Sequence, residues 1–574
     1  MKLPALYSLP QSRAELTAFG GLDRTERCAE GQFAAEENLS ARRWPALCPR
    51  QPRRLLARLQ KPHGLYAHNG LIWVDGTTLY YNGVPMGTVA DSHKTFCALG
   101  SRVLVFPDKL CLDTTALTLT PLGAQWASVG QVSFTPARLD GESYTVKTTG
   151  SARPEAPENG DYWLDTSGAE DVLRVYSAAT ESWAAVSAAY VRIAAPGIGS
   201  RFAVQDAVTV SGVSPQAVGE AAGALNTDCI IWDKGEDYIT VTGFLSKAAV
   251  QTAQQGQVTV ERRIPDLDYL TACDNRVWGV AANGHQIFAC KLGDPTNWYS
   301  YAGTAADSYT VSVGSTGAFT GAASCMGYVL LFKEDLIHRV YGSKPANYQV
   351  VTMPCPGVQA GCAAGVATVD STLYYFARRG PMACDGGLPE SVGEALGQMP
   401  AAAAVGGAAG GRYYLSLAEG QGRSLYCLEP ARGVWHRQSD PGFCWMAPNG
   451  AALAALTAAG ELWELDGGTA GQTDAPVAWY AETAPLHRQE SGRRFLTRLE
   501  LRLGLETDAW VRVLVRYDEA GPWVEAGLLR PQQRRSAVLP VRPRKCDCFR
   551  LRLEGAGEVT LYGWSRVFTK GSEL

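Results

Sequence analysis

One unit recurs along this chain and restricts its fold more than any other feature: a short β-rich run, a tight turn, and a second β-rich run. It reads GLIWVDGTTLYYNG (70–83), SRVLVFPDKLCLD (101–113), NRVWGVAANGHQIFAC (275–290), GYVLLFKEDLIHRVYG (327–342), STLYYFARRGPMACDG (371–386), GRYYLSLAEGQGRSLYCLEP (411–430) and AALAALTAAGELWELDGG (451–468). Asp-Gly, Asn-Gly and Arg-Gly pairs at the turns supply the positive φ that tight hairpins need. Ile, Val, Leu, Tyr and Trp fill the arms, as half-buried strands require. Spacing from turn to turn is about 30–50 residues once the gap at 123–264 is closed up, the range of propeller blades. A two-sheet sandwich is the alternative. The pattern therefore predicts an all-β chain: a six- or seven-bladed β-propeller over residues 61–122 and 265–476.

Three regions fall outside the repeat. Residues 123–264 contain GDYWLDTS (160–167) and LRVYSAATESWAAV (173–186), which alternate polar and apolar residues. They read as one or two inserted β-domains, which a blade-to-blade connection can host at little cost in loop entropy. Residues 477–574 carry FLTRLELRLGL (495–505), AWVRVLVRYDE (509–519) and CFRLRLEG (548–555). Their period of two predicts a C-terminal β-sandwich with Arg498, Arg502, Arg512, Arg516, Arg550 and Arg552 on one face. Residues 1–60 mix Gly, Pro and charge without the spacing of a packed element. They read as an extended N-terminal arm, ordered only beside other subunits. In it Phe33, Leu39 and Trp44 are expected to fill pockets and Pro45 to keep the chain extended. Arg42, Arg43, Arg50, Arg53 and Arg54 are expected to pair with acidic groups of neighbours; DNA is the rival partner for the same arginines.

Composition excludes several classes. The formal net charge of −4 is not that of a nucleic-acid glove. The 15 cysteines show no CxxC pair and no metal-like spacing with the 7 histidines, so reduced, mostly buried thiols are expected, and no metal or cofactor. No signal peptide opens the chain and no apolar run has the length of a membrane span, so folding in a cytoplasm is expected.

A search for chemistry finds no GxSxG elbow, P-loop, HExxH or dinucleotide fingerprint. Glu334 and Asp335 sit at a hairpin turn, where acidic residues serve the turn, and the sialidase turn signature is absent. Asp75-Gly76, Asp385-Gly386 and Asp466-Gly467 lack the acidic ladder of a Ca²⁺ loop. His285 and His338 lie near different turns. Catalytic residues are expected to be absent and the chain to be no enzyme. Tyr162, Trp163 and Trp183 are candidates for glycan contact, against a role in a sandwich core.

The run GGLDR…EGQFAAEENLSARRWPALCPRQPRR (20–54) resembles the opening of proteins encoded in tail-gene clusters of phages and prophages of gut Firmicutes, with Asp23 for the usual Asn and Trp44 for Tyr. The stretches 291–321, 330–350, 356–361 and 374–397, and the terminal GSEL (571–574), resemble further blocks of that family. The chain is more remotely similar to the packaged-DNA stabilization and tail nozzle proteins of short-tailed phages. The resemblance implies a β-propeller virion protein of the tail or neck. It would be a ring subunit, six copies being expected, that extends the DNA channel and helps retain packaged DNA. Its partners would be its own copies, the portal or adaptor and phage DNA. A receptor-binding or fibre-attachment protein is the second expectation and a propeller glycan hydrolase the third.

Overall fold

The computed structural model describes residues 11–169, 171–186, 188–218, 221–245, 252–420, 422–467, 470–486, 494–519, 521–531 and 536–570. The fold is all-β; among the described residues the α-helices are two short turns, Pro215–Val218 and Ala221–Leu225. The GSEL block lies outside the described residues.

Each of the seven hairpins supplies two adjacent strands of a four-stranded sheet. The first sheet runs Pro62–Ala67, Leu71–Asp75, Thr78–Tyr81 and Val84–Thr88. The second spans Thr95–Leu99 to Thr118–Pro121, the third Tyr269–Cys273 to Tyr309–Ser312, and the fourth Gly321–Cys325 to Gln349–Met353. The fifth spans Ala367–Val369 to Glu390–Ser391 and the sixth Ala404–Ala409 to Val434–Ser439. The turn chemistry is as the sequence requires: Asn82 and Gly83 have φ of 49° and 85°, and Gly76 has 57°. Leu71–Asp75, the second strand of the first sheet, alternates, whereas in the other six of the seven sheets the second strand is buried on both faces, as in Arg102–Phe106 and Thr372–Ala377. That is why those runs are continuously apolar instead of alternating.

The seventh sheet is built differently. Phe443–Asn449, Ala452–Thr457 and Glu461–Leu465 provide three strands; the fourth is Arg54–Arg58, antiparallel to Glu461–Leu465.

The chain divides into two compact units. One comprises Met1–Lys94, Phe319–Arg339 and Thr352–Leu574. Within it, the first strands of the fifth, sixth, seventh and first sheets pack against one another in succession. It also holds a six-stranded and a five-stranded sheet that share one apolar core, with Val511, Val513 and Val515 facing Leu499, Leu501 and Trp564. Trp510–Tyr517 buries every second residue, which leaves Arg512 and Arg516 on the other face. The other unit comprises Thr95–Ala318 and Val340–Val351. It contains an eight-stranded sheet between Ala124 and Arg262, and, nested in its connections, a four-stranded sheet from Val146–Gly150 to Ser182–Ala185.

Residues 11–58 differ most from expectation. They find their partners within their own chain. Gln11–Leu16 pairs with Val559–Lys570, and Gln32–Glu37 pairs with Ala478–Thr483. Three sheets are thus completed from this segment. The six strands are two to six residues long and are spread over four sheets, so no single periodicity runs through them.

Candidate functional site

Two places gather functional groups: the N-terminal segment, which ties distant parts of the first unit together, and a cleft in the second unit.

The tie is built on Asn38, held at φ 60° where its backbone and side chain both bridge. Its Oδ1 accepts from Arg50 Nε (2.9 Å), the Ser439 amide (2.9 Å) and Ser439 Oγ (3.0 Å), while its Nδ2 donates to Ala478 O (2.8 Å). The last strand of the sixth sheet and a strand of the six-stranded sheet are thereby fastened to one side chain. Buried Glu36 accepts from or pairs with His436 Nδ1 at 2.7 Å on the same strand. Arg50, 5% exposed, reaches Asp474 at 2.7 Å. Arg53 donates from its amide to Asp474 (2.7 Å) and lies over the Phe443 ring. Burial, with Arg50 beside it, pulls the Arg53 guanidinium down to about 9. Arg54 binds Glu464 (2.6 Å), its partner in the seventh sheet.

The residues expected to clamp neighbours are therefore mostly used inside the chain. Phe33 and Leu39 are fully buried in the core of the two C-terminal sheets, where Phe33 lies 6.1 Å from Phe19. Arg42 and Arg43 converge on Glu558. Arg43, Trp44 and Pro45 of that group stay exposed, with the Arg432 guanidinium 5.3 Å from the Trp44 ring. The pocket-filling and pairing chemistry was read from the residues; that its partners are intramolecular was not. One signal was available: the seventh hairpin is followed by Gly-rich sequence, not by a fourth β-rich run, while RLLAR at 54–58 is a β-rich run without a sheet.

The three aromatic candidates do not form one site. They lie in the nested four-stranded sheet, where Tyr162 pairs across from Val175 and packs on Tyr144, with Leu173 and Val186. Trp163 and Trp183 point to the opposite face, 5.4 Å apart, with Tyr176 beside Trp183. Trp163 is 5% exposed and donates its Nε1–H to Gly150 O (3.0 Å). Its ring is core, with no face to offer a sugar.

The cleft, about 630 Å³, was not anticipated. Its walls come from five stretches of the chain: the turn at Asp108 and Lys109, residues 121–125, residues 261–266, residues 281–288, and Tyr299, with Ala124–Ala127 paired to Thr259–Arg262. Tyr299 is half-buried between Phe288, edge-on at 6.3 Å, and the Arg263 guanidinium, 4.7 Å from its ring centre. Burial raises the Tyr299 phenol, with Arg263 opposing, so the hydroxyl stays protonated as a donor. Each cation of the walls has a carboxylate: Lys109 with Asp266 (2.7 Å), Arg262 with Asp206 (2.5 Å) and Arg263 with Asp228 (2.8 Å). Among the described residues no cluster of three or more His, Cys, Asp or Glu could hold a metal ion.

No protein-family model matches this chain, and no curated protein matches it. Solved structures with some likeness include an exo-β-1,3-galactanase of Phanerochaete chrysosporium (9% identity, 52% of this chain and 95% of that one, TM-score 0.21). Another is the endosialidase of phage phi92 (10% identity, 76% and 69%, TM-score 0.24). A third is the extracellular domain of a putative hybrid two-component system of B. thetaiotaomicron (9% identity, 87% and 99%, TM-score 0.22). Glycoside hydrolases thus stand among the similar structures, and the expectation that the chain is no enzyme is withdrawn. A catalytic site assembled from loops of several sheets leaves no local motif, so the lack of one in the sequence does not exclude catalysis. Likenesses of this size carry no further argument. Among the described residues no helix is long and apolar enough to cross a membrane.

Proposed function

We propose that this chain is a structural protein of a phage tail or neck, in which the seven four-stranded sheets are the blades of one closed β-propeller. The observation that carries this reading is the seventh sheet. Its outer strand, Arg54–Arg58, precedes the first sheet in sequence, and its other three strands follow the sixth. A repeat whose two ends meet in one sheet is closed on itself and leaves only the short outer strand of each sheet as an edge, which gives a stiff block with little surface for edge-to-edge pairing. Stiffness suits a part that transmits load and encloses DNA under pressure. The resemblance of residues 20–54, 291–321, 330–350, 356–361 and 374–397 to phage tail-cluster proteins supplies the setting. In this reading copies of the chain surround the DNA path below the portal, with six as the expected number, and help retain the genome. The contacts between copies use surfaces other than the tie, because Glu464, Asp474 and Glu558 already occupy its arginines.

The test is to locate the chain in particles of the phage or prophage that encodes it, by peptide mass spectrometry and by gold-labelled antibody in electron micrographs. Label on the tail axis next to the head supports the reading. Label on peripheral fibres favours receptor binding, and absence from purified particles rejects a virion role.

A further inference from the structure

We propose that the cleft beside Tyr299 binds a neutral oligosaccharide. The inference stands on the second unit alone and is independent of where the chain sits in a particle. The cleft volume, about 630 Å³, lies within the roughly 300–1,000 Å³ usual for small-ligand sites. Its chemistry then selects among ligands. An anion needs an uncommitted cation, and Lys109, Arg262 and Arg263 are each neutralised by a carboxylate within 2.8 Å. A metal ion needs several convergent carboxylates, and the described residues offer no such group. A fully apolar ligand would desolvate the polar groups of the walls without replacing their hydrogen bonds.

What remains free is a set of hydrogen-bonding groups around two aromatic rings. The side chains of Gln125, Glu261, His285 and Gln286 and the Tyr299 hydroxyl make no hydrogen bond to any described residue, yet all line the cleft. Glu261 and Gln125 are direct cross-strand partners, so their side chains leave the same face of the sheet side by side. Glu261 only accepts, the Tyr299 hydroxyl donates or accepts, and the two amides do both. A sugar matches this mixture: each hydroxyl donates and accepts, and its C–H face covers an aromatic ring. The half-buried Tyr299 is held by Arg263 and Phe288, so little ordering is needed when a ring lies against it.

The experiment uses the full chain. Saturation-transfer NMR and titration calorimetry are run with neutral tetrasaccharides of glucose, galactose, mannose and N-acetylglucosamine, and with 3′-sialyllactose as the anionic counterpart. At least one neutral probe is expected to bind saturably, and sialyllactose more weakly. Tyr299→Ala should weaken the binding at least tenfold. Glu261→Gln, an exposed and isosteric change that leaves folding intact, should weaken it several-fold. Trp183→Phe, in the nested sheet, should leave it unchanged. The proposal is overturned if no neutral probe saturates, if sialyllactose binds more tightly, if Glu261→Gln leaves binding as it was, or if Trp183→Phe abolishes it.

Discussion

The seven hairpins and the N-terminal segment obey the same physics at opposite ranges. A hairpin such as Leu71–Asp75 with Thr78–Tyr81 is specified by about a dozen consecutive residues: two apolar arms and a turn with Gly76 at positive φ. The strand Arg54–Arg58 is specified by Glu461–Leu465, about 400 residues away. Local pairing closes a short loop; the distant pairing waits until the intervening sheets exist and then fastens them. The first builds the parts, and the second decides whether they are held. Changes in the two regions should therefore differ in kind as well as in size.

Removing residues 1–58 takes one strand from the seventh sheet and the strands Gln11–Leu16 and Gln32–Glu37 from the two C-terminal sheets. The expected result is a chain that loses its cooperative thermal transition and aggregates, read by near-ultraviolet circular dichroism and light scattering. A soluble truncated chain with an intact melt would erase the distinction between the regions. Phe33→Ala empties a fully buried site beside Phe19 and Trp564 and should cost about 3–5 kcal/mol in urea unfolding.

A pH titration sharpens the hairpin side. Burial, aided by Lys333, lowers His338 of the fourth hairpin to about 4, and its Nδ1 lies 2.9 Å from Thr352 Oγ1. The unfolded chain, with a His pKa near ~6.5, binds the proton more readily than the folded one. Stability is full above about pH 6.5 and is lost as pH falls toward 4, by roughly 3 kcal/mol. His338→Gln should flatten that slope; an unchanged slope would assign the acid sensitivity elsewhere. Arg50→Ala removes the ion pair to Asp474 and one of the four hydrogen bonds of the Asn38 side chain, an expected loss of about 2–3 kcal/mol. The smallest effect belongs to the local end: Gly76→Ala, in open space at φ 57°, should cost only about 1 kcal/mol.

The same contrast explains what could be read from the residues. The hairpins were legible because turn residues and apolar arms are adjacent in sequence, and alternation in Trp510–Tyr517 was legible for the same reason. The tie was not, since Phe33, Asn38 and Arg50 reveal their roles only when Trp564, Ser439 and Asp474 stand beside them. Tyr162 and Trp163 are neighbours in sequence, and it is the strand's period of two that sends them to opposite faces. Tyr299 and Glu261 gave no signal, because a cleft assembled from five segments has no local signature.

The central claim is that the N-terminal segment belongs to the fold of a single chain. Hydrogen exchange on the isolated monomer, followed by mass spectrometry, tests it most directly. Amides of Gln32–Glu37 and Arg54–Arg58 should exchange as slowly as those of Glu461–Leu465 and Ala478–Thr483, to which they are paired. Exchange of these two segments within seconds, while their partners remain protected, would contradict the account and return the segment to the role of a free arm.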